Sequence, residues 1–267
     1  MNIAVIGCAG RMGKMLVQAV AAAPGANLRG ALDQPGRGAI GRDAGSLAGI
    51  DPLGVGVGDD AEQLFALPGL EAVIEFSAPS ATVEHAALAA RHGVAYITGT
   101  TGLSAAQEMA LEEVAKHIPL VYAPNMSVGV NLLLALVERV AGMLGPDYDI
   151  EILEMHHGRK VDAPSGTALA LGNAAARGRG VKLDAVSQRA RDGHTGPRQP
   201  GDIGFAVLRG GDVAGDHTVF FAGSGERLEL THKAGDRAVF AQGAVRAALW
   251  THGRPPGLYS MRDVLGL

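Results

Sequence analysis

A single cysteine, Cys8, stands in 267 residues, which excludes an intrachain disulfide framework and any zinc site built on several thiolates. A surplus of one charge is missing as well. Lys and Arg total 23 against 27 Asp and Glu, a formal charge of −4, so the chain lacks the basic face on which phosphate-driven nucleic-acid binding depends. Long apolar runs are absent: the longest, Leu132 to Val137, has six residues, whereas a membrane-spanning helix needs roughly 20. The opening Ile3-Ala4-Val5-Ile6 reads as a strand, without the basic start and longer apolar stretch of a signal peptide, so the expected setting is the cytoplasm, with neither membrane nor nucleic acid as partner. Charged residues are scarce at 19%, against a usual share of about 25%. Hydrophobic residues at 47% are enough to fill a core, and glycine is abundant, with 39 residues clustered at turns. Such glycines point to many tight junctions and exposed backbone amides.

At about 150 residues per domain the length suits a little under two domains. The first third alternates short β-type runs with Ala/Leu-rich stretches, the pattern of βαβ units around a parallel sheet. Strands are expected near Asn2–Ile6, Asn27–Leu32, Ala72–Glu75, Ala95–Thr98 and Leu120–Tyr122, with helices near Met12–Ala22, Thr82–His92 and Ser104–Lys116. Ser104 followed three residues later by Gln107 fits a capping box. The turn Gly99-Thr100-Thr101-Gly102 before it therefore falls at the carboxyl end of a strand, where open α/β sheets place ligands. A further helix, Ser127 to Leu144, stops at Gly145-Pro146. Beyond it Tyr148–Met155, Ile203–Leu208, Thr218–Ala222 and Arg227–Thr231 read as longer strands around one helix, Thr167 to Arg177, with Arg177–Gly180 and Gly193–Gly201 as flexible connections. Helical spacing returns from Arg237 to Leu249, a stretch that suits either domain. The fold class expected is α/β: a Rossmann-type dinucleotide-binding domain, then an α+β domain with a mixed sheet.

Directly after the first strand comes Gly7-Cys8-Ala9-Gly10-Arg11-Met12-Gly13, opening into a helix. A turn without side chains lets backbone amides reach a pyrophosphate, and a helix start adds partial positive charge. The spacing Gly-x-x-Gly-x-x-Gly departs from the common Gly-x-Gly-x-x-Gly, but its place in a βαβ unit supports it. Asp33 lies 20 residues past Gly13, where an acidic side chain accepts hydrogen bonds from adenosine ribose hydroxyls. A Walker loop is excluded, since Cys8 stands where its first glycine is required and Met15 replaces the magnesium-holding Ser or Thr. Cys8 reads as a packing residue, because no base or strong positive field is implied beside it.

The densest chemistry runs from Glu151 to Ala168, with His156, His157, Lys160 and Asp162 ahead of a helix start at Ser165-Gly166-Thr167. A strand end with two histidines, a cationic loop and a helix N-terminus suit an anionic substrate: the helix start holds a carboxylate, Lys160 supplies a point charge, and a histidine donates a proton. Adjacent strand residues point to opposite faces, so His156 and His157 do not readily share one metal ion, and no metal is expected.

With these motifs in view the chain resembles the dihydrodipicolinate reductase family, also called 4-hydroxy-tetrahydrodipicolinate reductase, of the diaminopimelate and lysine pathway. The resemblance rests on Gly-Cys-Ala-Gly-Arg-Met-Gly at 7–13, Phe-Ser at 76–77, Gly-Thr-Thr-Gly at 99–102, Ala-Pro-Asn-Met-Ser at 123–127, the block at 154–168, and Gly-Asp-His-Thr-Val at 215–219. It implies a Rossmann domain at 1–126 completed by 237–267, a substrate-binding and oligomerisation domain at 127–236, and a homotetramer built through the substrate-domain sheets. It also implies reduction of a cyclic imine dicarboxylate by NADH or NADPH. By position, His156 resembles the family's proton donor and Lys160 the cation beside the substrate, while His157, Gly166 and Thr167 resemble its carboxylate-binding groups. Gly7, Gly10, Arg11, Met12, Gly13 and Asp33 fall on its dinucleotide loop. Gly99, Thr101, Ala123 and Met126 fall where its loops contact the nicotinamide end. Gln34 stands where some members carry an arginine suited to the 2′-phosphate, so NADH is expected to serve at least as well as NADPH, with Arg37 as a substitute cation. Two other classes remain open on the residues alone. Another two-domain imine reductase, such as an aspartate dehydrogenase, has no need of the 162–167 helix start, and a dinucleotide sensor needs an effector segment that this acidic chain does not display.

Overall fold

Strands that are apolar without alternation need cover on both faces, and this requirement organises the first part of the chain. A computed structural model describes residues 1–36 and 38–267; Arg37 lies outside the described residues. In chain order the elements begin with β1 (Asn2–Ile6), α1 (Arg11–Ala22), β2 (Asn27–Leu32), α2 (Ala44–Ala48), β3 (Val57–Gly58), α3 (Ala61–Phe65), β4 (Ala72–Glu75) and α4 (Pro79–His92). They continue with β5 (Ala95–Thr98), α5 (Ala105–Ala115), β6 (Pro119–Tyr122), α6 (Val128–Leu144), β7 (Asp149–His156), α7 (Gly166–Gly178) and α8 (Leu183–Val186). The last are β8 (Ser187–Gln188), β9 (Ile203–Arg209), β10 (Gly215–Ala222), β11 (Arg227–Ala234), α9 (Ala238–Trp250), β12 (Gly257–Tyr259) and α10 (Met261–Leu265). The chain divides into two compact units, Met1–Val128 with Arg237–Gly266, and Gly129–Asp236 with Leu267.

In the first unit seven strands form one parallel sheet in the order β12-β6-β5-β4-β1-β2-β3. Alternate residues of β1 feed opposite layers. Ile3 and Val5 join Leu16, Val17 and Val20 of α1 and Ala244, Val245 and Ala248 of α9, whereas Ala4 and Ile6 join Phe65, Ala86, Ala89 and Leu111 on the other side. The chain runs outward from β1 through β2 to β3 on one side and through β4 to β5 and β6 on the other. That reversal at β1 and β4 is the switch point at whose carboxyl edge a crevice opens.

The second unit has a mixed sheet of order β11-β10-β7-β9-β8, antiparallel at β11-β10-β7 and parallel at β7-β9-β8. Helices α6 and α7 cover one face, packing Leu133, Val137, Leu171 and Ala175 on Ile150, Ile152, Val219 and Phe221. On the opposite face Leu153 pairs with Ala206, Met155 with Leu208 and Phe220 with Glu229.

Several expected boundaries move. Helix α4 starts at Pro79, three residues before the expected Thr82, because proline at a helix start forfeits no intrahelical bond. The stretch Arg177–Gly180 is not a free connection: Arg177 and Gly178 complete α7, and Arg177 pairs with Glu138 of α6 at 3.1 Å. Strand β7 reaches His156, one residue beyond the expected Met155.

Helix α9 lies so close to the loop after β6 that a Cβ on Gly243 would collide with the carbonyl oxygen of Met126. Gly243→Ala is expected to cost about 1–3 kcal/mol through overpacking. Gly56→Ala, where a Cβ meets nothing within 4 Å, is expected to stay within about 0.5 kcal/mol. Urea midpoints of the two variants check this, and equal midpoints would contradict the close approach of α9.

Candidate active site

The first unit gathers its candidate residues at the carboxyl edge of the parallel sheet. After β1 the chain turns so that the amides of Gly7 and Cys8 both donate to the carbonyl of Leu32, at 2.8 and 3.1 Å. A Cβ on Gly13 would strike the backbone of Gly7 and Cys8, so only glycine lets α1 begin this close to the turn. Gly10 caps α1 without a side-chain bond, and no acidic residue sits in the first turn that Arg11, Met12 and Gly13 begin. The positive end of the helix is thus left for an anion. Asp33 is 5% exposed, and its carboxylate accepts from the Ala9 amide at 2.7 Å and the Gln34 amide at 2.8 Å. It therefore ties the end of β2 to the glycine turn, and a carboxylate with about four acceptor positions can still take a hydroxyl. Cys8 is buried beside it, and burial followed by the Asp33 charge pushes its thiol up to about 12, which keeps it protonated and inert.

A cavity of about 470 Å³ opens here, lined by Gly7, Gly10, Asp33, Phe76, Ser77 and His85 among others. One wall is held by a group that sequence reasoning missed. Glu75, fully buried at the end of β4, accepts from the Ser77 and Tyr96 hydroxyls and from His85 Nδ1 at 3.0 Å. The burial of Tyr96 itself, then the Glu75 charge, drives the Tyr96 phenol well above the usual range. The signal was a carboxylate closing an otherwise apolar buried strand, Ala72-Val73-Ile74-Glu75.

The remaining cofactor candidates follow β5 and β6. A Cβ on Gly99 would run into the Phe76 ring. Thr101 is exposed, whereas Ala123 is buried with its amide on the Thr98 carbonyl at 3.2 Å. Met126 is fully buried, its side chain in the core and its carbonyl against Gly243 of α9.

In the second unit the covered face of β7 changes character along the strand. Ile150 and Ile152 pack in the core, then Glu154 (1% exposed) and His156 (8%) take the same face. Glu154 Oε2 meets His156 Nδ1 at 2.6 Å, and Oε1 accepts the Ser165 amide at 3.0 Å. Arg209 at the end of β9 grips both carboxylate oxygens, at 2.8 and 2.9 Å, and also donates to the Asp162 carbonyl at 2.7 Å. Burial alone would raise the Glu154 carboxyl, but the Arg209 fork, His156 and the Ser165 amide together hold it below the usual carboxylate range.

Ser165 caps α7 through its hydroxyl, which accepts from the Ala168 amide at 3.1 Å and lies 3.0 Å from His217 Nε2. His217, on β10, stands edge-on to His156 with ring centroids 5.1 Å apart. Burial, then the His156 charge, lowers His217 to about 4, so it is a neutral neighbour near pH 7. His157 follows β7 with its amide on the Val213 carbonyl at 2.8 Å, and Lys160 pairs with Asp162 at 2.8 Å, holding that carboxyl low. Gly166 and Thr167 form the first turn of α7, which carries no acidic residue and so favours an anion. The structure thus brings His156, His157, Lys160, Gly166 and Thr167 to one end of the second unit. Among the described residues no group of three His, Cys, Asp or Glu side chains is placed to hold a metal ion.

Residues 1–126 match the family described as dihydrodipicolinate reductase, N-terminus, and residues 129–265 its C-terminus. The chain is 55% identical over 267 residues to the 4-hydroxy-tetrahydrodipicolinate reductase of Beijerinckia indica, spanning 100% of this chain and 98% of that one. It is 56% identical over 266 residues to the protein of the same name from Ruegeria pomeroyi, again spanning 100% and 98%. Its fold is similar to that of a dipicolinate-bound dihydrodipicolinate reductase from Paenisporosarcina sp. TG-14, with a TM-score of 0.79 at 24% identity over 98% of each chain. Two domain matches that together cover almost the whole chain, and relatives this similar along their full length, leave one conclusion: the chain belongs to the dihydrodipicolinate reductase family.

Proposed function

We propose that the chain is an NAD(P)H-dependent oxidoreductase that reduces the cyclic imine dicarboxylate derived from 4-hydroxy-tetrahydrodipicolinate to tetrahydrodipicolinate, in lysine and diaminopimelate biosynthesis. The observation that carries the reading is the pairing of a histidine with a buried carboxylate beside the first turn of α7, in a chain more than half identical to reductases of that name.

Gly7, Gly10, Arg11, Met12 and Gly13 hold the pyrophosphate, Asp33 the adenosine ribose, and Gly99, Thr101, Ala123 and Met126 the nicotinamide end. The glycine turn, the uncapped start of α1 and the adjoining cavity suit such a group. When bound, the reduced nicotinamide supplies a hydride. His157, Gly166 and Thr167 bind a substrate carboxylate at the positive end of α7, and Lys160 adds a point charge beside it. Conjugate hydride addition to the unsaturated imine leaves an enamine, with electron density on nitrogen and on the carbon next to the one that took the hydride. His156 then gives its proton to that carbon and completes the product. The expected setting is the cytoplasm, with the nicotinamide pool that the reaction draws on, and with neither nucleic acid nor metal required.

The same proposal includes a homotetramer built through the open face of the second unit's sheet. Leu153, Met155, Ala206, Leu208 and Phe220 lie on that face, with Leu208 48% exposed. Apolar area of this kind marks an interaction surface. Ala206→Glu sets a charge opposite Leu153 on an exposed position. It is expected to leave secondary structure intact and convert the tetramer to smaller species in light scattering; an unchanged tetramer would place the interface elsewhere.

General acid catalysis contributes about 10² to 10⁴-fold, so His156→Ala should lower kcat by a factor in that range while NADH binding, followed by fluorescence, stays near native. Lys160→Ala should lower kcat and raise KM for the imine. Near-native kinetics for both variants would remove these residues from the site. NADH should serve at least as well as NADPH, because the Asp33 carboxylate repels a 2′-phosphate and Gln34 carries no compensating charge. The ratio of kcat/KM for the two cofactors checks this, with Gln34→Arg expected to raise NADPH use. A preference for NADPH above about tenfold, or 1.4 kcal/mol, would overturn that role for Asp33.

A further inference from the structure

The carboxylate of Glu154 has no direct place in the chemistry just described, yet it is buried and bound on every side. An ionised carboxylate offers about four acceptor positions. Glu154 fills them with His156 Nδ1 at 2.6 Å, the Ser165 amide at 3.0 Å, and the two Arg209 nitrogens at 2.8 and 2.9 Å. Stability alone does not explain the group. Glu154 follows Ile150 and Ile152 on the covered face, where an aliphatic side chain would extend the core, and replacing a buried ion pair by apolar residues is often neutral or stabilising. What the carboxylate does that an apolar side chain cannot is accept from the histidine and from the start of α7 at once.

We infer that Glu154 is a positioning residue that binds the Nδ1–H of His156, so that Nε2 is the atom that delivers the proton, and that binds the Ser165 amide, so that the donor keeps a set distance from the substrate-binding turn of α7. The inference rests on the reading of His156 as the proton donor. In the step itself His156 gives the Nε2 proton to the electron-rich carbon formed by hydride addition, the new C–H bond takes the electron pair of that carbon, and the imidazole is left neutral with its remaining proton on Nδ1, against Glu154. Two neighbours limit other ring orientations. His217 lies edge-on at 5.1 Å, and a Cβ on Gly215 would come within 3.0 Å of Nε2, so a side chain at that position would press on the donating atom. Arg209 keeps the carboxylate ionised and fixed by its fork, and its bond to the Asp162 carbonyl ties the Lys160 loop to the same centre. A hydrogen-bond partner on one imidazole nitrogen sets which nitrogen faces the reaction, so this arrangement determines function through geometry.

Nitrogen-15 spectra of the intact enzyme labelled at histidine, assigned with His156→Asn and recorded where the His156 ring is neutral, should show the Nδ1–H tautomer. An Nε2–H tautomer in the native enzyme would overturn the inference, and this result does not depend on any Glu154 variant folding. In Glu154→Gln the amide offers a donor to Nδ1, so the tautomer should switch to Nε2–H, and kcat should fall at least about tenfold but no further than in His156→Ala, whose own loss is about 10² to 10⁴-fold. KM for the imine and NADH binding should stay near native. The double variant should be no slower than His156→Ala alone, since the carboxylate acts through the ring. Additive losses, or an unchanged kcat in Glu154→Gln, would show a merely structural role. The site reading fails separately, if His156→Ala itself retains native kcat.

Discussion

A charge taken out of water must have every lone pair met by the protein, and Glu154 meets that condition with donors from three segments of the second unit. The consequence is organisational. Strand β7 supplies the carboxylate and the histidine two residues on, β9 supplies the guanidinium, and α7 supplies the amide of its cap residue. None of these positions can shift without leaving a buried charge partly unpaired, which costs several kcal/mol. The end of β7 and the start of α7 are thereby fixed to each other, and the first turn of α7 inherits its place from a bond made within the protein.

The first unit uses the same device in a different sheet. Glu75 ends the buried strand β4 and, with no guanidinium among its bonds, collects two hydroxyls and the Nδ1 of His85. It lies next to the crevice where the parallel sheet reverses its order, and Asp33, the residue after β2, performs a lighter version of the task by binding the Ala9 amide of the glycine turn. In each unit a carboxylate near the carboxyl end of a strand holds a neighbouring loop in place. Apolar packing builds the two sheets, while these few carboxyl groups set the loops beyond them.

How much of this was legible follows from the range of the interactions. Local patterns carried far: β1, the glycine turn and α1 were read from one apolar run and three glycines, and Ser104 with Gln107 forms the capping box that its spacing implied. The block around His156 and α7 was legible because its residues are adjacent in the chain. Strands β3, β8 and β12 were not, since two or three residues become a strand only by pairing with a neighbour that already exists. Arg209 and His217 were missed as members of the site for the same reason: they reach Glu154 and Ser165 across 55 and 52 residues of sequence. Glu75 did leave a trace, a carboxylate where an apolar strand should have ended in an apolar residue, and that trace was overlooked.

Whether a dinucleotide loop and an acid-bearing substrate site work together in one reductase is read from nicotinamide absorbance while the purified protein is supplied with NADH and the freshly generated cyclic imine dicarboxylate. Oxidation of NADH that begins only when the imine is added, and that yields tetrahydrodipicolinate in equal amount, is the expected result. NADH binding with no imine-dependent oxidation would contradict it.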